Sequence, residues 1–347
     1  MTGKISRRTF GLGLAGAAAA AQFTLAAPAL AQARTKVRFT LDVDFWGPQS
    51  NFLLAVEKGL YAAEGLDVQV DGGAGSGQAV TRVAQGTYDI GFGDFGTMAR
   101  FTATNPATAV QSFFVLWDVM QHGIVFKKGA IKNAKDIEGK TLAAPEPDAG
   151  RQMFPWFAKA AGIDQSKVTL RHIDFPLRET LVVRGEAQGA TGFVSSVALN
   201  MVRAGVPLDQ IEWIQYSTAG IELFGSTIFA KKDWLAANPT VAAGFARATA
   251  RSMQEMIKDP KASVEAAIRR QSLNSLEVEL PRYKMVLEQS IITPTTREHG
   301  IGHVDQARLT RSLAGLCDAF NVTPVPANDL IYTNAFLPPM ELRKIPT

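Results

Sequence analysis

The chain has 347 residues, of which 46% are hydrophobic, 36 are basic and 32 are acidic. This near balance excludes the cationic stripe that nucleic-acid binding requires, and the single cysteine excludes an internal disulfide. The length is enough for one large buried core or two ordinary ones.

Residues 1–33 have the pattern of an export signal. Three basic residues precede an apolar run rich in alanine and glycine, and small residues at cleavage-type spacing follow in APALAQA. The paired arginines of SRRTF resemble the twin-arginine signal of bacteria. We therefore expect cleavage after Ala31 or Ala33 and a periplasmic location, with an uncleaved apolar tail as the alternative. Removal of this segment leaves thirty-three basic residues against thirty-two acidic ones.

Short β-rich runs and helical patterns alternate along the rest of the chain, which predicts an α/β fold with parallel strands. Strands are expected at 36–43, 66–70 and 88–93, with a helix at 51–65. The alternation starts again near residue 140, and the chain becomes mostly helical after about residue 238. In that region we place three prolines near helix starts or breaks and the cysteine in a buried helix face: Pro239, Pro260, Pro281 and Cys317.

One internal echo supports two related halves. Three residues of a helix, turn and strand pattern recur ninety-nine residues further on: Val83, Gly86 and Gly93 as Val182, Gly185 and Gly192. Because both copies lie in the same predicted context, we interpret them as a trace of two similar units.

The stretch GGAGSGQ, residues 72–78, has the strand, glycine loop and helix order that cradles phosphates in nucleotide enzymes. It lacks the GxGxxG register and the GK[ST] ending, so a nucleotide is not favoured. Glycines let the backbone approach a ligand, and Ser76 and Gln78 offer side-chain hydrogen bonds at the helix start. We expect the loop to bind a solute through unpaired main-chain N–H groups, with a plain turn as the alternative.

Four stretches carry a family resemblance, namely VRFTLDVDFWGPQSNFLLAVEKGLYAAEGLDVQV, AQGTYDIGFGD, DWLAANPTVAAGFARATARSMQEMIKDP and DLIYTNAFLP. With the export signal, they resemble the periplasmic solute-binding proteins for nitrate, sulfonates, taurine and thiamine-precursor pyrimidines, the NMT1/THI5-like and SsuA-like family. The resemblance implies a type II periplasmic-binding-protein-like α/β fold with two doubly wound lobes joined by two crossover segments. It also implies a small-molecule ligand, delivery to the membrane subunits of an ABC importer, and a monomer.

By this resemblance, lobe 1 comprises 34–121 and 226–347, and lobe 2 comprises 122–225, with crossings near 118–124 and 222–228. Ligands of such folds lie at the carboxyl ends of strands and the amino ends of helices. The candidate ligand-binding residues by this rule are Trp46, Gln49, Asn51, Gly75, Ser76, Gln78, Asp94, Phe95, Thr97, Trp117, Asp148, Arg151, Phe193, Ser195, Glu222 and Phe224.

Core packing is the competing interpretation for each of these aromatic residues. Trp46 is favoured for stacking on a ligand because Gly47 and Pro48 place it in a loop. Arg151 could bind a carboxylate or sulfonate through two hydrogen bonds, or could pair with Asp148 as a surface bridge.

The pyrimidine-binding branch of the family typically has LDWxPNxxH after the first strand, and Gln49 stands here in place of its histidine. We therefore lean toward a small organic anion, a sulfonate or an aromatic carboxylate. A thiamine-pyrimidine binder or enzyme of the same fold, or the binding subunit of a sensor, is the alternative. No catalytic residue, metal site or cofactor is predicted, because Gly300 and Gly302 break the helix that would align His299 with His303.

Overall fold

The computed structural model describes residues 33–346, so residues 1–32 of the predicted export signal lie outside the described part. Among the described residues, no helix is both long and apolar enough to cross a membrane. Residues 33–346 contain ten strands: β1 (Thr35–Thr40), β2 (Leu66–Asp71), β3 (Ile90–Asp94), β4 (Val110–Val115), β5 (His122–Lys127), β6 (Thr141–Ala143), β7 (Thr169–Arg171), β8 (Gly189–Phe193), β9 (Ile211–Gln215) and β10 (Ser226–Lys231).

Helices cover the sheets and form most of the carboxyl-terminal third. They are α1 (Ser50–Glu57), α2 (Leu60–Ala63), α3 (Ser76–Ala84), α4 (Phe95–Thr104), α5 (Ala149–Ala160), α6 (Arg178–Val183), α7 (Val194–Arg203), α8 (Lys232–Ala237), α9 (Pro239–Lys258), α10 (Pro260–Arg270), α11 (Leu276–Val286), α12 (Pro294–His299), α13 (Gln306–Phe320), α14 (Asn328–Ile331) and α15 (Met340–Arg343).

Most predicted elements are present, with two corrections among the helices. The expected helix at 51–65 is two helices, because Gly59 adopts a left-handed conformation with φ of 66° between them. Pro239 and Pro260 begin α9 and α10 as predicted, but Pro281 lies inside α11. The predicted burial of Cys317 in a helix is confirmed in α13.

The strands form two five-stranded sheets of the same order, β2-β1-β3-β10-β4 and β7-β6-β8-β5-β9. The prediction of parallel strands is incomplete, because β10 runs antiparallel to β3 and β4, and β5 runs antiparallel to β8 and β9. β5 and β10 are the first strands after the chain passes from one sheet to the other. Each begins opposite the carboxyl end of a parallel strand, so it has to run back against that strand.

We call the half built on the first sheet the first lobe (34–121 and 226–346) and the half built on the second sheet the second lobe (122–225), keeping the predicted bounds. The connections between the sheets are residues 116–121, from β4 to β5, and residues 216–225, from β9 to β10. The ninety-nine-residue echo is a structural repeat, since β3 with α4 and β8 with α7 have the same lengths and bounds shifted by that number.

Periodic burial of apolar side chains fixes the faces of these elements. β2 alternates buried and exposed residues, so one face packs inward. In the first lobe, the Phe39 ring lies between Phe52 of α1 and Phe245 of α9, with ring centroids 4.8 and 5.0 Å away. This core anchors the strands whose carboxyl ends face the second lobe.

Candidate functional site

Buried polar side chains converge where the carboxyl ends of the strands of both lobes meet. Within the described residues, eight of them have a nitrogen or oxygen atom that is shielded from solvent and has no hydrogen-bond partner. They are Asp42, Gln49, Asn51, Asp94, Gln121, His122, Ser195 and Ser226, and we call them the polar cluster. Because buried polar groups in native proteins are nearly always hydrogen-bonded, such a concentration marks a place built to meet another molecule.

Asp94 and His122 join the lobes at the centre of this cluster. Asp94 ends β3 in the first lobe, His122 begins β5 in the second, and both side chains are fully buried. His122 Nε2 lies 2.8 Å from Asp94 Oδ2, without an aligned hydrogen bond between them. The other Asp94 oxygen, Oδ1, accepts from the main-chain N–H and the hydroxyl of Thr97, at 2.6 and 2.7 Å, and so caps α4.

Asp42 adds a carboxyl group that responds to pH. It is fully buried, and its Oδ1 accepts a 3.2 Å hydrogen bond from Gln49 Nε2. Burial raises the pKa of Asp42 to about 7, the charge of Asp94 acts in the same direction, and the Gln49 hydrogen bond opposes them. Near neutral pH this carboxyl can therefore donate or accept a hydrogen bond.

Aromatic rings surround the polar cluster. The Trp117 ring lies 5.7 Å from Phe92 and 5.7 Å from Phe193, and Phe193 stacks on His122 at 5.6 Å. The sequence predicted Trp117 and Phe193 as site residues, and the structure brings them together from different lobes. A flat apolar surface beside hydrogen-bonding groups suits a planar organic molecule.

Trp46 lies at the opening of the cleft, in a cavity of about 350 Å³ that we call the mouth cavity. Residues 43–46, 73–74 and 271–274 form its first-lobe wall, and the second lobe supplies Phe175, Pro176, Glu179, Asn200 and Arg203. The guanidinium of Arg282 lies 4.5 Å from the centre of the Trp46 ring and holds the ring against the first lobe.

Arg282 also connects the lobes through a network of buried charges. It is fully buried, pairs with Glu279 at 3.0 Å, and donates to Asn200 Oδ1 at 2.9 Å and to the Ser196 carbonyl at 3.0 Å. In the second lobe, buried Arg178 pairs with Glu179 at 2.6 Å and with Asp148 at 3.2 Å. Both buried arginines are therefore already committed to carboxylates of the protein.

The glycine loop does not present the predicted row of unpaired N–H groups. Gly73 donates to the Val43 carbonyl, Gly75 to Asp42 and Gly77 to Pro147, at 3.0, 2.5 and 3.2 Å. The predicted close approach is real, but the neighbour is protein, because a Cβ on Gly75 would lie 2.4 Å from the Pro147 oxygen of the second lobe.

The side chains of this loop serve local structure. The Ser76 hydroxyl accepts the Asp94 N–H at 3.0 Å, and Gln78 Oε1 accepts the Ala74 N–H at 3.0 Å. Ser76 and Gln78 therefore form hydrogen bonds within the protein: Ser76 holds the main chain at Asp94, and Gln78 holds the glycine loop.

The predicted anion-binding role of Arg151 is not supported, because its guanidinium is already hydrogen-bonded to the protein. Its guanidinium donates to the carbonyls of Ala144 and Leu170, at 2.6 and 3.4 Å, within the second lobe. The alternative bridge is also wrong as stated, since Asp148 accepts the main-chain N–H of Arg151 and its carboxylate pairs with Arg178. The carbonyl just after β6 and one carbonyl within β7 accept the guanidinium hydrogen bonds, which the spacing of residues in the sequence did not indicate.

The two candidates of the second crossover, Glu222 and Phe224, contact other parts of the protein. Glu222 is exposed and pairs with Arg311 at 2.9 Å. Phe224 is buried, packs on Phe95 at 5.4 Å, and lies 4.0 Å under the guanidinium of Arg308. For Phe95 and Phe224 core packing is therefore the better interpretation.

Sequence reasoning missed four members of the site as ligand candidates: Asp42, Gln121, His122 and Ser226. Asp42 follows the first strand, and the strand-end rule could have included it. The other three lie at the crossovers, where strand pairing is non-local, and only the register of Ser226 opposite Asp94 and of His122 opposite Phe193 reveals them. His299 and His303 have rings 4.4 Å apart, and no metal-binding group of three side chains occurs in residues 33–346.

Comparison with known proteins identifies relatives of this chain. The sequence model of the family described as NMT1/THI5 like matches residues 48–263. The riboflavin-binding protein RibY of Chloroflexus aurantiacus is 22% identical over 336 residues, which cover 93% of this chain and 91% of RibY.

Solved structures show the same fold. A protein of Bordetella bronchiseptica RB50 superposes with a TM-score of 0.69 at 17% identity, covering 87% of this chain and 96% of that one. The alkanesulfonate-binding protein SsuA of Xanthomonas axonopodis pv. citri, bound to MOPS, gives a TM-score of 0.66 at 11% identity, with 86% and 99% covered. The predicted periplasmic-binding-protein fold is thereby confirmed.

Proposed function

This chain belongs to the NMT1/THI5-like family, and from that premise we propose that it is the solute-binding component of an ABC importer. It captures a small organic solute between its two lobes outside the cytoplasm and delivers it to the membrane subunits. The predicted export signal supports a periplasmic location, and the monomer expected from the sequence suits a protein that docks by both lobes.

The observation that carries this proposal is the polar cluster. Its unpartnered atoms come from both lobes, at the ends of β3 and β8 and the starts of β5 and β10. A solute that bonds to Asp42 and Asp94 on one side and to His122 and Ser195 on the other holds the lobes together. The closed form is then favoured by the difference in contacts between the two conformations.

The charges within the cleft restrict the part of the solute that lies deepest. Asp42 and Asp94 are buried there, while Arg178 and Arg282 are each paired with glutamates. A free anion such as nitrate, or a bare sulfonate, would lie beside carboxylates with no uncommitted arginine to neutralise it. We therefore assign the interior to an uncharged or cationic ring that forms several hydrogen bonds and packs on Trp117 and Phe193.

A panel of solutes tests the proposal by thermal unfolding. Riboflavin, nicotinamide, hydroxymethylpyrimidine, taurine, benzenesulfonate and nitrate would be titrated against the mature chain, with native mass spectrometry of gently purified protein to identify a retained solute. A true ligand at a hundred times its Kd stabilises the fold by about 2.7 kcal/mol.

Two histidine variants provide the control. His122→Gln alters the polar cluster and should abolish the shift, whereas His172→Gln alters an exposed loop histidine and should leave it unchanged. Equal loss in both variants, or no retained solute and no shift with any compound, contradicts the proposal.

The same solute titrations distinguish a binding protein from an enzyme. A binder returns each compound unchanged, since no covalent step follows closure. Conversion of a bound compound that stops in His122→Gln but continues in His172→Gln would assign the Asp94–His122 pair to catalysis instead.

A further inference from the structure

One arginine that lines the mouth cavity is not paired with a carboxylate of residues 33–346. Arg203 is the last residue of α7, is exposed, and lines the second-lobe wall of the cavity. Within residues 33–346, its guanidinium forms no hydrogen bond and no ion pair to the protein. By contrast, Arg178 pairs with Glu179 and Asp148. Arg282 pairs with Glu279 and donates a hydrogen bond to Asn200.

The groups around Arg203 include a second cation and two carboxylates that already accept hydrogen bonds from the protein. Burial lowers the pKa of Arg282, and the positive charge of Arg203 acts on it in the same direction, so the two cations repel. Glu179, on the same wall, is taken by Arg178 and Asn200. Asp44, on the first-lobe wall, accepts from the Phe45 N–H at 2.9 Å and from Gln271 at 3.0 Å.

Apolar groups lie beside this cation. Trp46 and Phe175 line opposite walls of the cavity, and Leu273 at its edge is 82% exposed. Trp46, Phe175 and Arg203 line the same cavity, so a solute that occupies it would contact the aromatic rings and the guanidinium together. The guanidinium has the planar fork of donors that matches a carboxylate, sulfonate or phosphate.

We propose that Arg203 recognises an oxyanion group at the outer end of the solute and so determines specificity for acidic over uncharged compounds. This inference rests on the proposed function, and it locates the predicted organic anion at the mouth of the cleft, away from Arg151. The uncharged or cationic part of the same solute occupies the interior.

Matched acid and neutral pairs test the inference. Nicotinate with nicotinamide, benzoate with benzamide, benzenesulfonate with its sulfonamide, and riboflavin 5′-phosphate with riboflavin would be titrated calorimetrically. In the wild type, the acidic member of at least one pair should bind about tenfold or more tightly than the neutral member. Arg203→Gln should abolish that preference, and Arg203→Lys should retain part of it.

Arg184→Gln is the control, because Arg184 directly follows α6 of the second lobe but is 69% exposed and lies 4.0 Å from Glu186. It should leave the preference intact. The inference is overturned if neutral members bind as tightly as acids, if Arg203→Gln weakens both members equally, or if none of the pairs binds. Retention of a solute by the purified chain still decides the proposed function separately.

Discussion

Single residues of the cleft carry properties that can be measured apart from any ligand. Asp42 has an ordinary pKa near 3.8 and a folded value of about 7, because burial disfavours its charge. The folded state therefore binds this proton more tightly than the unfolded state. The resulting contribution to stability is fully present below about pH 3.8 and is lost as the pH rises through about 7.

Asp42→Asn should remove this pH dependence. Between pH 4.5 and 7.5, the free energy of unfolding of the wild type should lose about 3 kcal/mol relative to the variant, since the carboxyl loses its proton over that range. Urea titrations of both proteins at the two pH values measure the difference. Parallel pH profiles would show that Asp42 does not hold a raised pKa.

Gly75 of the first lobe lies directly against Pro147 of the second. It has φ of 107°, and a Cβ would lie 2.4 Å from the Pro147 oxygen. Gly75→Ala should therefore oppose closure and weaken ligand binding by about tenfold or more, at a cost in stability of about 1 kcal/mol.

Gly86→Ala is the matched control for this change. Gly86 also has a positive φ, 75°, but a Cβ there has no atom within 4 Å. It should lose similar stability in urea and keep its affinity in calorimetry. If both variants keep their affinity, the Gly75–Pro147 contact is not part of closure.

At the scale of elements, α13 holds both connections between the lobes through one side chain. Arg308 donates to Asp118 Oδ1 at 2.6 Å and to the carbonyls of Asp118, Glu222 and Leu223, at 2.7, 3.1 and 3.1 Å. Thr293 donates to the second Asp118 oxygen at 2.5 Å. The hinge is thus fixed at one end by a buried carboxylate and the arginine that neutralises it.

Arg308→Ala should destabilise the chain by about 3 kcal/mol, because it leaves the buried Asp118 charge unpaired. Arg311→Ala breaks the neighbouring pair with Glu222, whose side chains are 61% and 58% exposed, and should cost less than about 1 kcal/mol. Urea unfolding of the two variants compares them directly. Equal effects would mean that Asp118 does not depend on Arg308.

The elements themselves were largely predictable because their signals are local. Alternation in β2 and the helix breaks at Gly65 and Pro239 depend on neighbours in sequence, and the structure retains them. The antiparallel direction of β5 and β10 depends on pairing across about a hundred residues, and no local pattern specifies it.

The site residues divide in the same way, into those that local sequence signals predict and those that depend on contacts between distant residues. The rule that ligands lie at strand ends led to Asp94, Trp117, Phe193 and Ser195, whose positions follow from chain order. It failed for Arg151, since the direction of a long side chain depends on which carbonyls lie within reach. It also missed His122, whose importance comes from a contact with the other lobe.

At the scale of the whole molecule, the lobes share an apolar cluster that includes Phe95 of the first and Met153 of the second, and polar contacts also join them. Asn200 is central, because its Oδ1 accepts from Arg282 of the first lobe and its Nδ2 donates to Glu179 of the second. Asn200→Ala should shift the ligand-free protein toward an open form, which small-angle X-ray scattering would detect as a larger radius of gyration.

Asn274→Ala separates this effect from a general loosening of the mouth cavity. Asn274 is also buried and lines the cavity, but its Nδ2 donates to the Phe45 carbonyl within the first lobe, at 2.6 Å. Its loss should leave the radius of gyration unchanged. A saturating solute should restore the compact form in Asn200→Ala, since closure depends on the balance of contacts in the two states. An Asn200 variant as compact as the wild type without solute would show that the contacts of Asn200 with Arg282 and Glu179 do not hold the lobes closed.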